Sequence, residues 1–182
     1  MINGAFGVGK TTVAEGLVAR MADSMLYDPE EVGQMLRKVT QGYRLPAEDT
    51  DDFQDIALWP AMTVEVAKGL LSEYRRTLVV PMTLANENYF SYVKEGLGGL
   101  VGSLHHFCLT ASVATIHRRL AQRGDTPGSW TFQQTARCVE EHRKPLYAEQ
   151  IDSEYSTPEQ IQDYLMSRIC CVYFLYKGKC SG

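Results

Sequence analysis

A glycine-rich motif near the start of the chain constrains the fold more than any other feature of the sequence. Residues 4–11 read Gly-Ala-Phe-Gly-Val-Gly-Lys-Thr and match the pattern G-x-x-x-x-G-K-[ST] at every position. Such glycines let backbone N–H groups wrap around a phosphate, and a helix that follows directs its positive end at the anion. A helical pattern with Val13, Leu17 and Met21 on one face begins at Thr11. The motif and its context predict a phosphate-binding loop rather than a chance turn.

Each residue of this loop has an expected role. Lys10 is predicted to be a catalytic residue that contacts the β- and γ-phosphates of a nucleotide, and Thr11 is predicted to offer its hydroxyl oxygen to Mg²⁺. The sequence has no Asn-Lys-x-Asp element to read guanine, so a GTPase is the least favoured class and ATP with Mg²⁺ are the expected cofactors. The predicted nucleotide-binding residues here are Gly4, Ala5, Phe6, Gly7, Val8, Gly9, Lys10, Thr11 and Thr12.

The rest of the chain alternates short β-rich runs with longer helical patterns. This alternation predicts a three-layer α/β fold of the P-loop NTPase, nucleotide-kinase-like kind, with a five-stranded parallel sheet in the order 2-3-1-4-5 and a helical lid. We expect one domain over residues 1–169, with the lid at about 115–147, and a tail at 170–182. An edge strand, an interfacial membrane contact and a partner surface stay open for that tail, and a packed or disordered end is the favoured alternative. A flexible turn is predicted at Gly96, Gly98, Gly99 and Gly102.

Asp28 is the predicted catalytic base. It follows the second predicted strand, where P-loop kinases that phosphorylate hydroxyls carry an acid able to accept or orient the substrate proton. Asp28 is also a good N-cap for a helix that starts at Pro29 and carries Glu30 and Glu31 in its first turn. The two roles are compatible, because an N-cap carboxylate can still orient a hydroxyl.

The second protein ligand of the metal stays open. The third predicted strand, at residues 78–83, does not end in the Asp of an ordinary Walker B element. Asp28, Thr83 or a water held by one of them are the candidates. Asp51 and Asp52 could reach the site, although an acidic run in a loop is more often a solvated face.

Two arginines are predicted to act on the nucleotide. Arg119 and Arg123 lie at i and i+4 on one helical face, just before a loop typical of a lid. One guanidinium can stack on the adenine, and the other can stabilise charge on the transferring phosphoryl group. We therefore predict a catalytic role for both arginines and nucleotide binding by Arg119. The alternative is that they lie on an exposed helical face and only increase solubility. Three aromatic residues could line an acceptor pocket or belong to the core: Trp59, Tyr89 and Trp130.

Composition and charge narrow the class of protein. Eighteen Lys and Arg against 22 Asp and Glu give a net charge of −4 and a pI near 5.6, so the chain lacks the basic footprint of a nucleic-acid-binding protein. The five cysteines form no C-x-x-C pair, which predicts reduced thiols. The N-terminus does not read as a signal peptide, and no apolar run approaches the roughly 20 residues of a membrane-spanning helix. We therefore expect a cytoplasmic protein.

With these residues in view, the sequence resembles the tunicamycin-resistance protein family of the P-loop kinase superfamily over most of its length. The resemblance implies ATP binding and protection against tunicamycin, a nucleoside antibiotic that carries uracil, sugars and a fatty acyl chain. It does not by itself imply phosphoryl transfer. It rests on residues 2–11 and on Tyr27-Asp28-Pro29-Glu30, Asp51-Asp52-Phe53-Gln54, Leu58-Trp59, Val80-Pro81-Met82-Thr83, His105-His106-Phe107, Ser129-Trp130 and Arg137-Cys138-Val139-Glu140.

Three functions stay open at this point. The first is a phosphotransferase that acts on a hydroxyl of the antibiotic or of a related small molecule. The second is a protein that binds and sequesters the drug in the presence of ATP without chemistry, and the third is a kinase of a nucleoside or sugar metabolite. Each implies a small-molecule substrate and no nucleic-acid partner, and none fixes the oligomeric state.

Overall fold

The computed structural model describes the backbone of residues 1–177 and the side chains of residues 1–169. It has an α/β fold in which strands and helices alternate along the chain. The strands are β1 (Ile2–Gly4), β2 (Ser24–Leu26), β3 (Thr77–Val79), β4 (Pro81–Met82), β5 (Phe107–Thr110) and β6 (Gln150–Asp152). The helices are α1 (Lys10–Arg20), α2 (Pro29–Val39), α3 (Trp59–Tyr74), α4 (Glu87–Leu100), α5 (Val113–Gln122), α6 (Trp130–Glu141) and α7 (Pro158–Lys177).

Helices cover both faces of the strands. Neighbouring residues of a strand point to opposite faces, so the strands together contribute to two separate clusters of buried side chains. Met82 and Cys108 pack with the inner faces of α3 and α4 in one cluster. Ile2 and Leu109 pack with α1 and α7 in the other. The three layers expected from the sequence follow from this alternation.

The sheet differs from the predicted one. All strand pairs are parallel, but β4-β1-β5-β6 form a four-stranded sheet and β2-β3 form a separate pair, so the prediction of one five-stranded sheet is wrong. Val79 faces β2, because its carbonyl accepts from the Tyr27 N–H at 3.0 Å. The backbone of residue 81 also faces β2, but Pro81 has no N–H group to continue the hydrogen bonding to β2. Pairing then passes to β1, where the Val80 carbonyl accepts from the Ile2 N–H at 2.8 Å.

Helix α4 runs through a segment that was expected to be a turn. Gly96, Gly98 and Gly99 lie inside this helix, so the predicted turn is wrong for these three residues. A Cβ added to Gly96 would lie 2.6 Å from the Cγ2 atom of Val64 on α3. The glycine therefore allows α3 and α4 to approach closely, and this contact compensates for its low helix propensity.

The loops that follow the strands meet at one edge of the molecule. Residues 5–9 follow β1, residues 27–28 follow β2, residues 83–86 follow β4 and residues 153–157 follow β6. Because the strands are parallel, their carboxyl ends lie together, and ligands of open α/β sheets bind at this edge.

The C-terminal segment ends in a helix. Residues 172–176, for which an edge strand was left open, belong to α7. Residues 178–182 of the predicted tail lie outside the described residues, and the division into a domain and a tail at residue 170 stays a prediction. Within residues 1–177, none of the helices has both the length and the apolar character needed to cross a bilayer.

Candidate functional site

The glycine-rich loop between β1 and α1 has the backbone conformation that its sequence predicts. Gly4, Gly7 and Gly9 have φ angles of 148°, 73° and 108°, which disfavour any side chain. A Cβ at Gly4 would also lie 2.6 Å from the Leu109 carbonyl oxygen of β5. Gly9 is the N-cap of α1 and receives no side-chain hydrogen bond, so the N-terminal end of this helix is open to a ligand.

Asn3 fixes the start of this loop. Its side chain is fully buried, and its Oδ1 atom accepts from the Gly4 N–H at 2.8 Å and from the Leu84 N–H at 2.9 Å. Its Nδ2 atom donates to the Leu84 carbonyl at 3.0 Å. The amide thus joins the loop to the segment that follows β4. Sequence reasoning missed this role, although a polar residue in a buried strand directly before the loop is its signal.

Lys10 lies within the loop rather than in solvent. Its side chain is 8% exposed, and its Nζ atom donates to the Ala5 carbonyl at 2.9 Å. Burial lowers the pKa of Lys10 to about 8, and the nearby Glu30 carboxylate partly opposes that effect. A weakly solvated ammonium at this place interacts strongly with any anion that enters the loop.

Cavities lie on both sides of the loop. The first, which we call the loop cavity, has a volume of about 680 Å³ and is lined by residues 7–13 together with Arg119, Arg123 and the segment around Pro158. The exposed side chains of Thr11 and Thr12 face it. The second, which we call the acidic cleft, has a volume of about 360 Å³; its lining residues include Phe6, Asp51, Asp52, Asp55, Thr83 and Arg137.

Arg119 and Arg123 both reach the loop cavity from α5 and its end. Arg119 is half-buried; its Nη1 atom donates to the Val8 carbonyl at 3.2 Å and to Ser153 Oγ at 3.1 Å. Its Nη2 atom donates to the Ser153 carbonyl at 2.6 Å. These bonds tie the loop to the segment after β6, so the alternative of a merely solubilising arginine does not describe Arg119. Arg123 is exposed and lies close enough to Lys10 and Glu30 to influence their pKa values.

Two carboxylates stand at the N-terminus of α2, near Lys10. Asp28 is half-buried and caps the helix, as predicted, by accepting from the Glu30 N–H at 2.9 Å. Burial raises the pKa of Asp28. Burial also raises the pKa of Glu30, while the Lys10 ammonium lowers it. Glu30 is the main charge that acts on Lys10. Sequence reasoning assigned Glu30 only to the first turn of the helix, and no local pattern distinguishes it from Glu31.

The acidic cleft is ordered by hydrogen bonds among its own residues. Asp52 accepts from the Gln54 N–H at 3.0 Å, and Gln54 Nε2 donates to the Thr83 carbonyl at 2.6 Å. Tyr89 donates its hydroxyl to Asp55 Oδ1 at 3.3 Å. Asp52 is half-buried, and burial raises its pKa. The acidic run therefore lines a cleft beside the loop and is not simply a solvated face.

Aromatic residues divide between the core and this cleft. Trp59 is 1% exposed and donates its indole N–H to the Pro29 carbonyl at 3.1 Å, so it belongs to the core. Tyr89 and Trp130 line the acidic cleft, where Trp130 meets Phe6 with ring centroids 5.1 Å apart. The loop residue Phe6 thus forms one wall of the cleft.

The described side chains fit a metal that arrives with a nucleotide. No group of three or more His, Cys, Asp or Glu side chains within residues 1–169 is placed to hold a metal ion alone. Mg²⁺ is usually held by one or two protein oxygens together with phosphate and water. Thr11 on the first turn of α1 and Asp28 offer such hard oxygen donors, and Thr83 stays an alternative.

The chain is similar to a known protein family and to several solved structures. The AAA domain family profile matches residues 1–154, and no curated protein sequence matches the chain significantly. The tunicamycin resistance protein of Deinococcus radiodurans is 25% identical, with a TM-score of 0.74 over 92% of this chain and 93% of that one. A gluconokinase of Sinorhizobium meliloti is 21% identical, with a TM-score of 0.66 over 98% and 95% of the two chains. A sugar kinase of Janibacter is 17% identical, with a TM-score of 0.64 over 91% and 90%.

The two kinase structures are too distant in sequence to show more than the fold. The tunicamycin resistance protein is similar over nearly the whole of both chains, which confirms the resemblance that the sequence motifs indicate. Together with the loop geometry and the matched profile, this similarity shows that the chain belongs to the AAA domain family of P-loop kinase-like proteins.

Proposed function

We propose that this protein is an ATP-dependent phosphotransferase that acts on a hydroxyl of a small molecule, either tunicamycin or a related nucleoside or sugar compound. The observation that carries the proposal is the pair of cavities that share the phosphate-binding loop. A protein that only binds or hydrolyses a nucleotide needs one of them. A transferase needs two ligands that meet at the loop, one on each side.

The loop cavity is the proposed nucleotide site. Backbone N–H groups of residues 4–9 and the N-terminus of α1 would hold the phosphates, with Lys10 at the β- and γ-phosphates. Thr11, together with a water held by Asp28, would hold Mg²⁺. Bound there, Mg²⁺ would offset negative charge on the phosphates. Arg119 and Arg123 line this cavity, where one guanidinium would stack on the base and the other would contact the transferring phosphoryl group.

The proposed reaction is a direct transfer. The acceptor hydroxyl oxygen attacks the γ-phosphorus and forms a new P–O bond, while the bond from phosphorus to the β,γ-bridging oxygen breaks and ADP leaves with the electron pair. The hydroxyl proton passes to a carboxylate at the N-terminus of α2. Asp28 is the first candidate, and Glu30 is the second. A pKa raised by burial suits either for accepting a proton.

The test is the mass of tunicamycin after incubation with the purified protein, ATP and Mg²⁺. We expect a gain of one phosphoryl group that is lost in Lys10→Ala and strongly reduced in Asp28→Asn. Lys68→Ala is the matched control, because Lys68 is an exposed lysine of α3 that pairs with Glu65 at 3.3 Å. Unchanged drug with intact ATP binding would contradict transfer to tunicamycin. Saturable, ATP-dependent binding of unchanged drug would instead support sequestration.

A second candidate is a kinase of an ordinary sugar or nucleoside metabolite. The lining of the acidic cleft favours it, since carboxylate, amide and hydroxyl side chains suit a sugar-sized polar group better than a fatty acyl chain. A panel of hydroxyl acceptors assayed for ADP release separates the two candidates.

A further inference from the structure

We infer that the acidic cleft binds a polyhydroxylated ring without negative charge and excludes acceptors that carry a carboxylate. This inference rests on the proposed function, because it assigns the acceptor to this cleft. It goes further by naming the chemical class of acceptor and the residues that select it: Asp52, Asp55, Thr83 and Trp130.

The first step is the charge of the cleft. Three carboxylates and one guanidinium line it, so its own residues are net negative. Arg137 is exposed, partly opposes the rise that burial causes in the pKa of Asp52 and donates to Gln134 Oε1 at 3.4 Å, so its single positive charge offsets only one of the three carboxylates. An acceptor with a carboxylate would face like charges, which a protein uses to reject a ligand.

The second step is an unpaired hydroxyl. Thr83 is 4% exposed and lines the cleft, yet its Oγ1 atom has no hydrogen-bond partner among the described residues. Buried polar groups are rarely left unpaired, so this hydroxyl points to a polar ligand atom. A hydroxyl of a bound ring can pair with it as either donor or acceptor.

The third step is the supply of acceptors for the other hydroxyls. Asp55 accepts from Tyr89 through Oδ1 and from Thr50 through Oδ2 at 2.8 Å, and each carboxylate oxygen has a second lone pair. Asp52 uses only Oδ1 for its backbone contact. Donors are therefore what the cleft still requires, and hydroxyl and ammonium groups supply them.

The fourth step is the apolar wall. Phe6 and Trp130 meet edge to face on one side of the cleft. The C–H face of a saturated ring can pack on such a surface while its hydroxyls reach the carboxylates and Thr83. A combination of aromatic surface and a few convergent polar groups is typical of small-molecule sites.

The experiment measures binding to the full chain, with a non-hydrolysable ATP analogue and Mg²⁺, by calorimetry. The probes are D-glucose, D-glucosamine, D-glucuronate and the methyl ester of D-glucuronate, which has a similar shape without the charge. We expect glucose and the ester to bind with similar Kd values and glucuronate at least about tenfold more weakly. Glucosamine shows whether the cleft prefers a cation over a neutral ring.

Variants assign the effect to residues. Asp52→Asn combined with Asp55→Asn is expected to reduce the difference between glucuronate and its ester to less than about threefold. Thr83→Val keeps the shape and removes only the unpaired hydroxyl, so it leaves the fold intact and weakens glucose binding about fivefold. Asp49→Asn is the control, because Asp49 is an exposed carboxylate outside the cleft that pairs with Arg44 at 3.4 Å.

The outcomes separate this inference from the proposed function. Binding of neutral rings here, together with no phosphoryl transfer to these rings or to tunicamycin when ATP replaces the analogue, would overturn the phosphotransferase and support the inference. Glucuronate bound as tightly as its ester would overturn the inference and leave the phosphotransferase standing. Failure of every probe to bind would also overturn the inference.

Discussion

The two cavities beside the loop are built in different ways. The loop cavity is formed largely by consecutive backbone, residues 7–13, with two arginines from α5 and its end. The acidic cleft is formed by side chains from separate segments, residues 50–55, 83–89 and 130–138. A site made of contiguous backbone specifies a phosphate, which all nucleotides carry. A site assembled from distant side chains specifies one acceptor, and that is where proteins of one fold differ in function.

The largest expected effect tests whether the loop cavity and the acidic cleft are separate binding sites. Lys10→Ala removes the buried ammonium from the loop and should lower kcat about 10³-fold or more, because a preorganised charge acts on the transferring phosphoryl group. Acceptor binding in the acidic cleft should change less than about threefold. Steady-state kinetics and calorimetry on the same variant provide both values. An equal loss of acceptor binding would show that the cavities are one site.

The next effect identifies which carboxylate at the N-terminus of α2 is the base. Removing a general base costs about 10²- to 10⁴-fold in rate, so either Asp28→Asn or Glu30→Gln should lose activity on this scale. The pH–rate profile is the second measurement, since only loss of the base removes the acidic limb. Glu31→Gln is the control, because Glu31 is exposed on the same helical turn. Full activity in both Asp28→Asn and Glu30→Gln would remove the base from α2.

The loop was predictable from sequence because its information is local. The glycine pattern fixes the backbone of residues 4–9, and Asp28 caps α2 through an amide only two residues away. The acidic cleft was not predictable, since Asp52, Thr83 and Arg137 are brought together only by tertiary packing. The sequence therefore left Asp52 open between a residue that reaches the site and a solvated face, and it offered no partner for Thr83 other than a metal.

The errors in the fold have similar causes. Pro81 interrupts the pairing of whichever strand its backbone faces. The sequence does not show whether that strand is β1 or β2. Gly96 looks like a helix breaker until Val64 of α3 is known to pack against it. In both cases the tertiary partner, which the local sequence does not reveal, decided the outcome.

A smaller effect concerns Asn3, the residue that joins the phosphate-binding loop to the segment after β4. Asn3→Ala removes three buried hydrogen bonds and leaves the Gly4 and Leu84 N–H groups without their side-chain acceptor. We expect a loss of about 2 kcal/mol in the free energy of unfolding, because buried polar groups lose pairing. Urea denaturation measures it, with exposed Asn88→Ala as the control. A change below about 0.5 kcal/mol would show that the junction does not depend on Asn3.

The smallest effect is a pH dependence of the free energy of unfolding, and it arises at the same junction between the loop and Leu84. His142 is 2% exposed, and its Nε2–H donates to the Leu84 carbonyl at 2.9 Å, the carbonyl that Asn3 also contacts. Burial lowers the pKa of His142 to about 4, and burial lowers that of His106 to about 4 as well. The folded protein therefore holds both rings neutral below the usual histidine pKa of about 6.5, whereas the unfolded chain takes up protons there.

The sign of the effect follows from this difference. Stability is highest above about pH 6.5 and falls as the pH drops towards 4, by up to about 1.4 kcal/mol per pH unit for each histidine. His142→Gln keeps an amide donor for the Leu84 carbonyl and cannot be protonated. Between pH 6 and pH 5 it should lose about 1 kcal/mol less than the unsubstituted protein. Carboxylates whose pKa is raised by burial act in the opposite direction, but they are common to both proteins and cancel in the comparison. Urea denaturation at the two pH values measures the change in the free energy of unfolding for each protein. Equal changes would mean that the folded protein does not hold His142 neutral.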